Sequence, residues 1–157
     1  MPESSPDAQA YAGVKIPPPL LYLIPLALSW WLERRWPLPL DTGWPAAGWV
    51  FVALGLLCMA PAVASFRRAG TAVIPVKPAT TLVVTGLYRW TRNPMYAGFT
   101  TVYLGGLLLL HSWWTVAFLP LILWAIHVLV IFREERYLES RFGQAYRDYC
   151  ARVRRWI

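Results

Sequence analysis

Apolar residues along this chain come in long uncharged runs separated by short charged collars. That is the pattern of helices that cross a bilayer, not of elements with one wet face. A span needs roughly 20 mostly apolar residues to cross a hydrocarbon core of about 30 Å. The first run, Ile16–Leu32, is slightly short and contains Pro25. The second, Thr42–Phe66, is long enough, with Trp44 and Trp49 at one end and Arg67 and Arg68 at the other. Pro61 is expected to bend or shorten it. The third, Asn93–Phe132, holds 40 residues, a helix of about 60 Å if unbroken. No single bilayer accepts that length, so the run is expected to fold as two spans turning near "HSWW", His111 to Trp114.

The expected fold is therefore all-α and integral to the membrane, one domain over residues 1–157. The first two spans fall within 16–66, a cytosolic loop at 67–92, a helical hairpin at 93–132 and a cytosolic tail at 133–157. The loop sequence has no helical period. "TTLVV" has extended propensity, and the segment reads as structured re-entry towards the membrane. In the tail, Leu138, Phe142 and Tyr146 recur every four residues and Tyr149 and Val153 continue the stripe. That predicts an amphipathic helix on the inner face, interrupted at Gly143.

Composition agrees. The chain is 57% hydrophobic and 15% charged, with ten tryptophans, against about 25% charged in ordinary soluble domains. The net charge of +7 flanks the apolar runs, which favours contact with anionic headgroups over nucleic acid. Only Arg34 and Arg35 fall in the outer loop; Arg67, Arg68, Lys77, Arg89, Arg92 and the arginines of the tail fall inside. This asymmetry places both termini in the cytosol. The acidic start lacks a signal-peptide pattern. The compact four-span core suggests a bacterial inner membrane. Cys58 and Cys150 predict neither a disulfide nor a metal motif, and the two histidines belong to no metal set.

Candidate chemistry lies at the cytosolic ends of the hairpin. In "RNPMY", Asn93 is a good N-cap and Pro94 suits the first helical position. That alone accounts for both without any function. Glu134 and Glu135 stand just past the fourth span, where adjacent carboxylates repel. A salt-bridged juxtamembrane cluster with Arg133 and Arg136 is one reading; a pocket for a cationic ligand is the other. Hairpin topology returns Asn93–Tyr96 and Arg133–Glu135 to the same face. A helix N-terminus with Arg92 suits a carboxylate, and the glutamates suit an ammonium. A methionine-type cofactor is compatible with that pairing.

"TGLYRWTRNPMYAG" followed by "EERYLESRFGQAYRDYCARVRRW" resembles the integral-membrane methyltransferases that include isoprenylcysteine carboxyl methyltransferases and phospholipid N-methyltransferases. The likeness covers roughly residues 75–156. It implies S-adenosylmethionine bound at the cytosolic side without a Rossmann fold, and methyl transfer to a lipophilic small molecule or lipid. Many relatives carry histidine where this chain has Asn93, which cannot titrate as a base; the resemblance makes it a cofactor-orienting residue. It further implies Tyr88, Arg92 and Tyr96 around the cofactor, close approach at Gly98, Gly105 and Gly106, and paired carboxylates at Glu134 and Glu135, Glu135 being favoured for direct contact. Tyr146 and Tyr149 would supply walls or polar contacts, and Arg154 or Arg155 would guide an acidic acceptor. Tyr146 and Arg154 are the catalytic candidates. His111 belongs to the outer turn, and His127, within the fourth span, is a poor candidate base. Helix packing is the competing explanation for the glycines. A noncatalytic membrane assembly or small-solute transport protein is the alternative for the whole chain; the oligomeric state is open.

Overall fold

Proline opens three of the long helices, at the position where its missing N–H costs nothing. A computed structural model describes residues 12–14, 16–73 and 78–156. The acidic N-terminal stretch, which entered the signal-peptide reading, and Lys77, which entered the orientation reading, lie outside the described residues. Helix α1 runs Pro18–Arg35, α2 Pro45–Arg68, α3 Pro94–Leu110 and α4 Trp113–Ile126. A π-helical turn, His127–Ile131, joins α4 to α5, Phe132–Phe142, and α6 follows at Gln144–Arg152. Among the described residues there is no β-strand, and "TTLVV" is irregular, leading into a 3₁₀ turn at Gly86–Arg89.

The uncharged run divides where the polar residues fall. His111 adopts a left-handed conformation (φ 49°) that ends α3. Ser112 caps α4 by accepting the Trp114 N–H. The segment after α1 seals this turn: Leu40 N–H donates to His111 O and Trp113 N–H to Leu38 O. The Glu33 carboxylate accepts the Leu38 N–H and the Ser112 hydroxyl. That explains why α1 continues past Leu32 through the charged collar instead of stopping before it. By length and composition, α2 and the continuous helical segment Trp113–Phe142 can cross a membrane, and α3 is a shorter apolar helix.

Helix α3 lies chiefly along α2, and α4 along α1. The α2–α3 seam is glycine against glycine. A Cβ on Gly55 would meet the Gly98 carbonyl at 2.6 Å, and one on Gly105 would meet the Gly48 carbonyl at 2.7 Å. Small residues let two backbones approach where lipid supplies no hydrophobic drive for association. Tyr22 of α1 stacks on Phe99 and shares a hydrogen bond with Thr100 (3.0 Å), tying α1 to α3.

The tail breaks at Gly143 (φ 54°), between α5 and α6. Its aromatic stripe is used internally: Tyr146 and Tyr149 are buried, and Tyr149 donates to Tyr88 O at 2.8 Å. The tail thereby packs onto the loop and the end of the hairpin remote from its turn.

Candidate active site

A cavity of about 100 Å³ opens where the two ends of the hairpin meet. Arg92, Asn93 and Tyr96 line it from the start of α3, Glu134 and Glu135 from α5, and Tyr146 and Tyr149 from α6. Tyr88 and the loop residues on either side of 74–77 complete the wall. The loop is held in place by Tyr137, whose hydroxyl accepts the Ala79 N–H at 2.9 Å. Tyr137 was not named from the sequence, although it stands three residues after Glu134 on the same helical face and lines the same cavity.

The hairpin closes through two contacts. Tyr96 donates to Glu134 Oε1 at 2.7 Å. Arg92 Nη1 pairs with Glu135 Oε1 at 3.2 Å. Arg155 then grips Glu135 in a bidentate fork, at 2.9 and 2.7 Å. Such planar forks are the strongest carboxylate contacts a side chain offers. Glu135 is therefore fixed by two guanidiniums, whereas Glu134 answers only a phenol. Burial raises the Glu134 carboxyl to about 7; the Tyr96 hydrogen bond opposes this and the neighbouring Glu135 adds to it. Burial also holds the Tyr88, Tyr146 and Tyr149 phenols above their ordinary value. At neutral pH these tyrosines are hydrogen-bond donors, so Tyr146 can orient a group but is no phenolate base.

Arg92 ties several strands of this cluster together. Its N–H donates to Arg154 O at 2.9 Å and its Nη1 to Cys150 Sγ at 2.7 Å. Its Nε is buried with no partner among the described residues. An unpaired buried guanidinium donor beside a cavity is costly unless an acceptor enters. A carboxylate is the acceptor that geometry and charge favour. The pocket thus offers an unpartnered donor, Arg92 Nε, for an anionic group and one carboxylate without a cationic partner among the described residues, Glu134, for a cationic group. Among the described residues no cluster of histidine, cysteine, aspartate or glutamate is placed to hold a metal ion.

Three sequence expectations need correction. Asn93 stands at the N-cap position of α3, but its side chain makes no cap. Its Nδ2 donates to Arg155 O at 2.9 Å, and Thr91 Oγ1 donates to the same carbonyl. A cap would use the Asn93 side-chain oxygen as acceptor, whereas the amide is turned so that its Nδ2 donates to the returning tail, and the cap is left unmade. Gly98 and Gly105 are not in the cavity wall; they are spent on the α2 seam, where a Cβ would strike backbone. Arg154 is exposed and presents only its carbonyl to the cluster, while Arg155 reaches Glu135. After α6 the backbone is extended at Val153, so neighbouring residues point to opposite sides, and the sequence alone does not say which arginine faces in.

Asn93→Ala is expected to loosen the docking of the tail by roughly 1 kcal/mol of lost hydrogen bonding. The tail should become more susceptible to limited proteolysis. Unchanged proteolysis would show that the Asn93–Arg155 hydrogen bond does not hold the tail.

Comparison with known proteins follows the same residues. The profile of the phospholipid methyltransferase family matches residues 44–145. A protein-S-isoprenylcysteine O-methyltransferase of Schizosaccharomyces pombe is 38% identical over 72 residues, which are 46% of this chain and 30% of that protein. A probable protein-S-isoprenylcysteine O-methyltransferase of rice (Oryza sativa subsp. japonica) is 34% identical over 109 residues, 68% of this chain and 56% of its own length. An uncharacterized protein of Haemophilus influenzae is 44% identical over 63 residues, 36% of this chain and 100% of that protein. The chain thus spans between about a third and somewhat over half of the named methyltransferases it matches. No solved structure matches it.

Proposed function

The chain belongs to the phospholipid methyltransferase family, and on that premise we propose that it transfers a methyl group from S-adenosylmethionine to a lipophilic, membrane-associated acceptor. An isoprenylcysteine-like carboxylate and a lipid amine are the acceptor classes that the relatives' names bring forward. The observation that carries the reading is the meeting of Arg92, with its unpartnered Nε, and the Glu134–Glu135 pair in one cavity. In this reading α1 and α3 complete four spans, both termini are cytosolic, and the cavity opens on the cytosolic side.

Arg92 would hold the cofactor's carboxylate, and Glu134 with Glu135 its ammonium and the positive charge near sulfur. Asn93 keeps the tail in place, and Tyr88, Tyr96, Tyr146 and Tyr149 form walls that exclude water. When bound, S-adenosylmethionine supplies an activated methyl group. The protein's contribution is alignment: a rigid fork around Glu135 and a phenol on Glu134 fix where a cation can sit, and such pre-set orientation accounts for much of a transfer's acceleration. A carboxylate acceptor needs no base; an amine acceptor must arrive unprotonated. Tyr146 can donate a hydrogen bond to a carboxylate acceptor, which has lone pairs to spare; on a neutral amine the same bond would occupy the attacking pair.

Saturable binding of S-adenosylmethionine to the purified chain in lipid, followed by transfer of labelled methyl to an added lipid or prenylcysteine, tests the function. A folded chain that binds none would return the reading to a membrane assembly or transport protein.

Glu134 gives the site a pH signature. A cationic ligand favours the ionised carboxylate, so binding releases a proton wherever Glu134 is protonated in the free protein. Affinity should rise as pH rises through about 7 and level off above it. Glu134→Gln should flatten that rise. A titration of binding from pH 6 to 8 decides it; an affinity that falls over this range would exclude Glu134 from the cation site.

A further inference from the structure

The two hairpin helices diverge after their shared turn, because α3 follows α2 and α4 follows α1. Between them lies a second cavity of about 590 Å³, lined by Ala97, Thr100, Thr101, Leu123, His127 and Trp156. Leu121, Trp124 and Val128 on the same helical segment are exposed, and in the four-span reading this apolar face of the segment meets lipid.

His127 is the unusual member. It opens the π-helical turn, where the Phe132 N–H reaches back to His127 O. Such widened turns recur at functional sites. The other histidine, His111, is bound through Nδ1 to Thr42 at the outer end. The His127 imidazole has no hydrogen-bond partner among the described residues, although it faces the gap. The threonine hydroxyls opposite are already engaged: Thr100 with Tyr96 O and Tyr22, Thr101 with Ala97 O. A histidine in an apolar span is costly unless something polar meets it. The two cavities are also neighbours along the chain. Tyr96 lines the first and Ala97 the second; Arg155 grips Glu135 at the first and Trp156 lines the second.

We propose that the α3–α4 gap seats the methyl acceptor, an amphiphile whose polar group hydrogen-bonds to His127 while its apolar chain lies between the helices. His127 is then a specificity-determining residue, selecting acceptors with a hydrogen-bonding group directly beside the chain. This rests on the methyltransferase reading for the word acceptor; occupancy of the gap can be read without it.

The chain contains two histidines, so carbethoxylation by diethyl pyrocarbonate reports each separately by mass spectrometry. In phosphatidylcholine nanodiscs, His127 should react, and added S-farnesylcysteine or phosphatidylethanolamine should slow its reaction several-fold while leaving His111 unchanged. The arm that protects identifies the acceptor class. His127→Phe should raise the half-saturating concentration of that amphiphile roughly tenfold, the worth of one hydrogen bond in a dry site; His127→Asn should restore part of it. Both variants should bind S-adenosylmethionine as the parent does. Labelling that neither amphiphile slows, a His127 that never reacts, or cofactor binding lost in both variants would each overturn the proposal. A parent that shows amphiphile protection but no cofactor binding would sink the methyltransferase reading and leave the amphiphile site standing.

Discussion

Glu135→Gln should reduce S-adenosylmethionine affinity by more than a hundredfold, the consequence of roughly 3 kcal/mol when one member of a buried ion cluster loses its charge. Glutamine keeps the shape of the side chain, so the effect isolates charge. Glu135 is 16% exposed and holds Arg92, itself 15% exposed, together with Arg155. Without the carboxylate, two guanidiniums face each other across the entrance to the cation site, and a cationic cofactor meets net repulsion. Glu139→Gln supplies the contrast. Its partner Arg147 is 54% exposed and 3.6 Å away, and exposed pairs of that kind contribute about 0–1 kcal/mol. Binding should survive that change. Equilibrium binding on both variants, with thermal unfolding alongside, separates a lost site from a lost fold. A folded Glu135→Gln protein with parental affinity would remove Glu135 from the cofactor site.

The juxtaposition on which that prediction depends was legible in the sequence because it follows from length. Forty uncharged residues cannot cross once, so the run must double back and return both ends to one side. The contacts that join them there, Tyr96 to Glu134 and Arg92 to Glu135, do not follow from length. His111 and Ser112 mark the turn because they are the polar residues able to satisfy the orphan groups of two helix termini there. The partners inside the site were less legible. Whether Asn93 caps its own helix or holds a distant carbonyl depends on where the tail returns, sixty residues later, and no local pattern carries that. The choice between Arg154 and Arg155 depends on the phase of four residues after α6. The π-helical turn at His127 is likewise silent in composition: "IHVLVIF" reads as an ordinary apolar helical stretch with one polar residue.

The glycines show the opposite situation, a signal present with two readings, cofactor approach and helix packing, of which their spacing favours the second. Gly98 and Gly105 are seven residues apart on α3, and Gly48 and Gly55 are seven apart on α2. Matching intervals on two helices predict a seam more directly than they predict a cofactor wall. Gly55→Ala and Gly105→Ala should each destabilise the folded chain by about 1–3 kcal/mol, the usual cost of forcing a methyl into a filled contact. Both new Cβ atoms would meet the backbone of the facing helix, at 2.6 and 2.7 Å, and backbone cannot rotate aside. Gly106→Ala should cost less, because its nearest neighbour is the Leu26 side chain, which can change rotamer. Valine at position 55 should cost more than alanine. Thermal unfolding in a fixed detergent ranks the four variants, and cofactor affinity measured on the folded fraction should stay at the parental value in all of them. The seam also fixes α3, and with it the start of the helix that carries Arg92, Asn93 and Tyr96. Expression and unfolding temperature should therefore fall before affinity does. A stable Gly105→Ala protein that no longer binds S-adenosylmethionine would reverse the assignment and return that glycine to the cofactor wall.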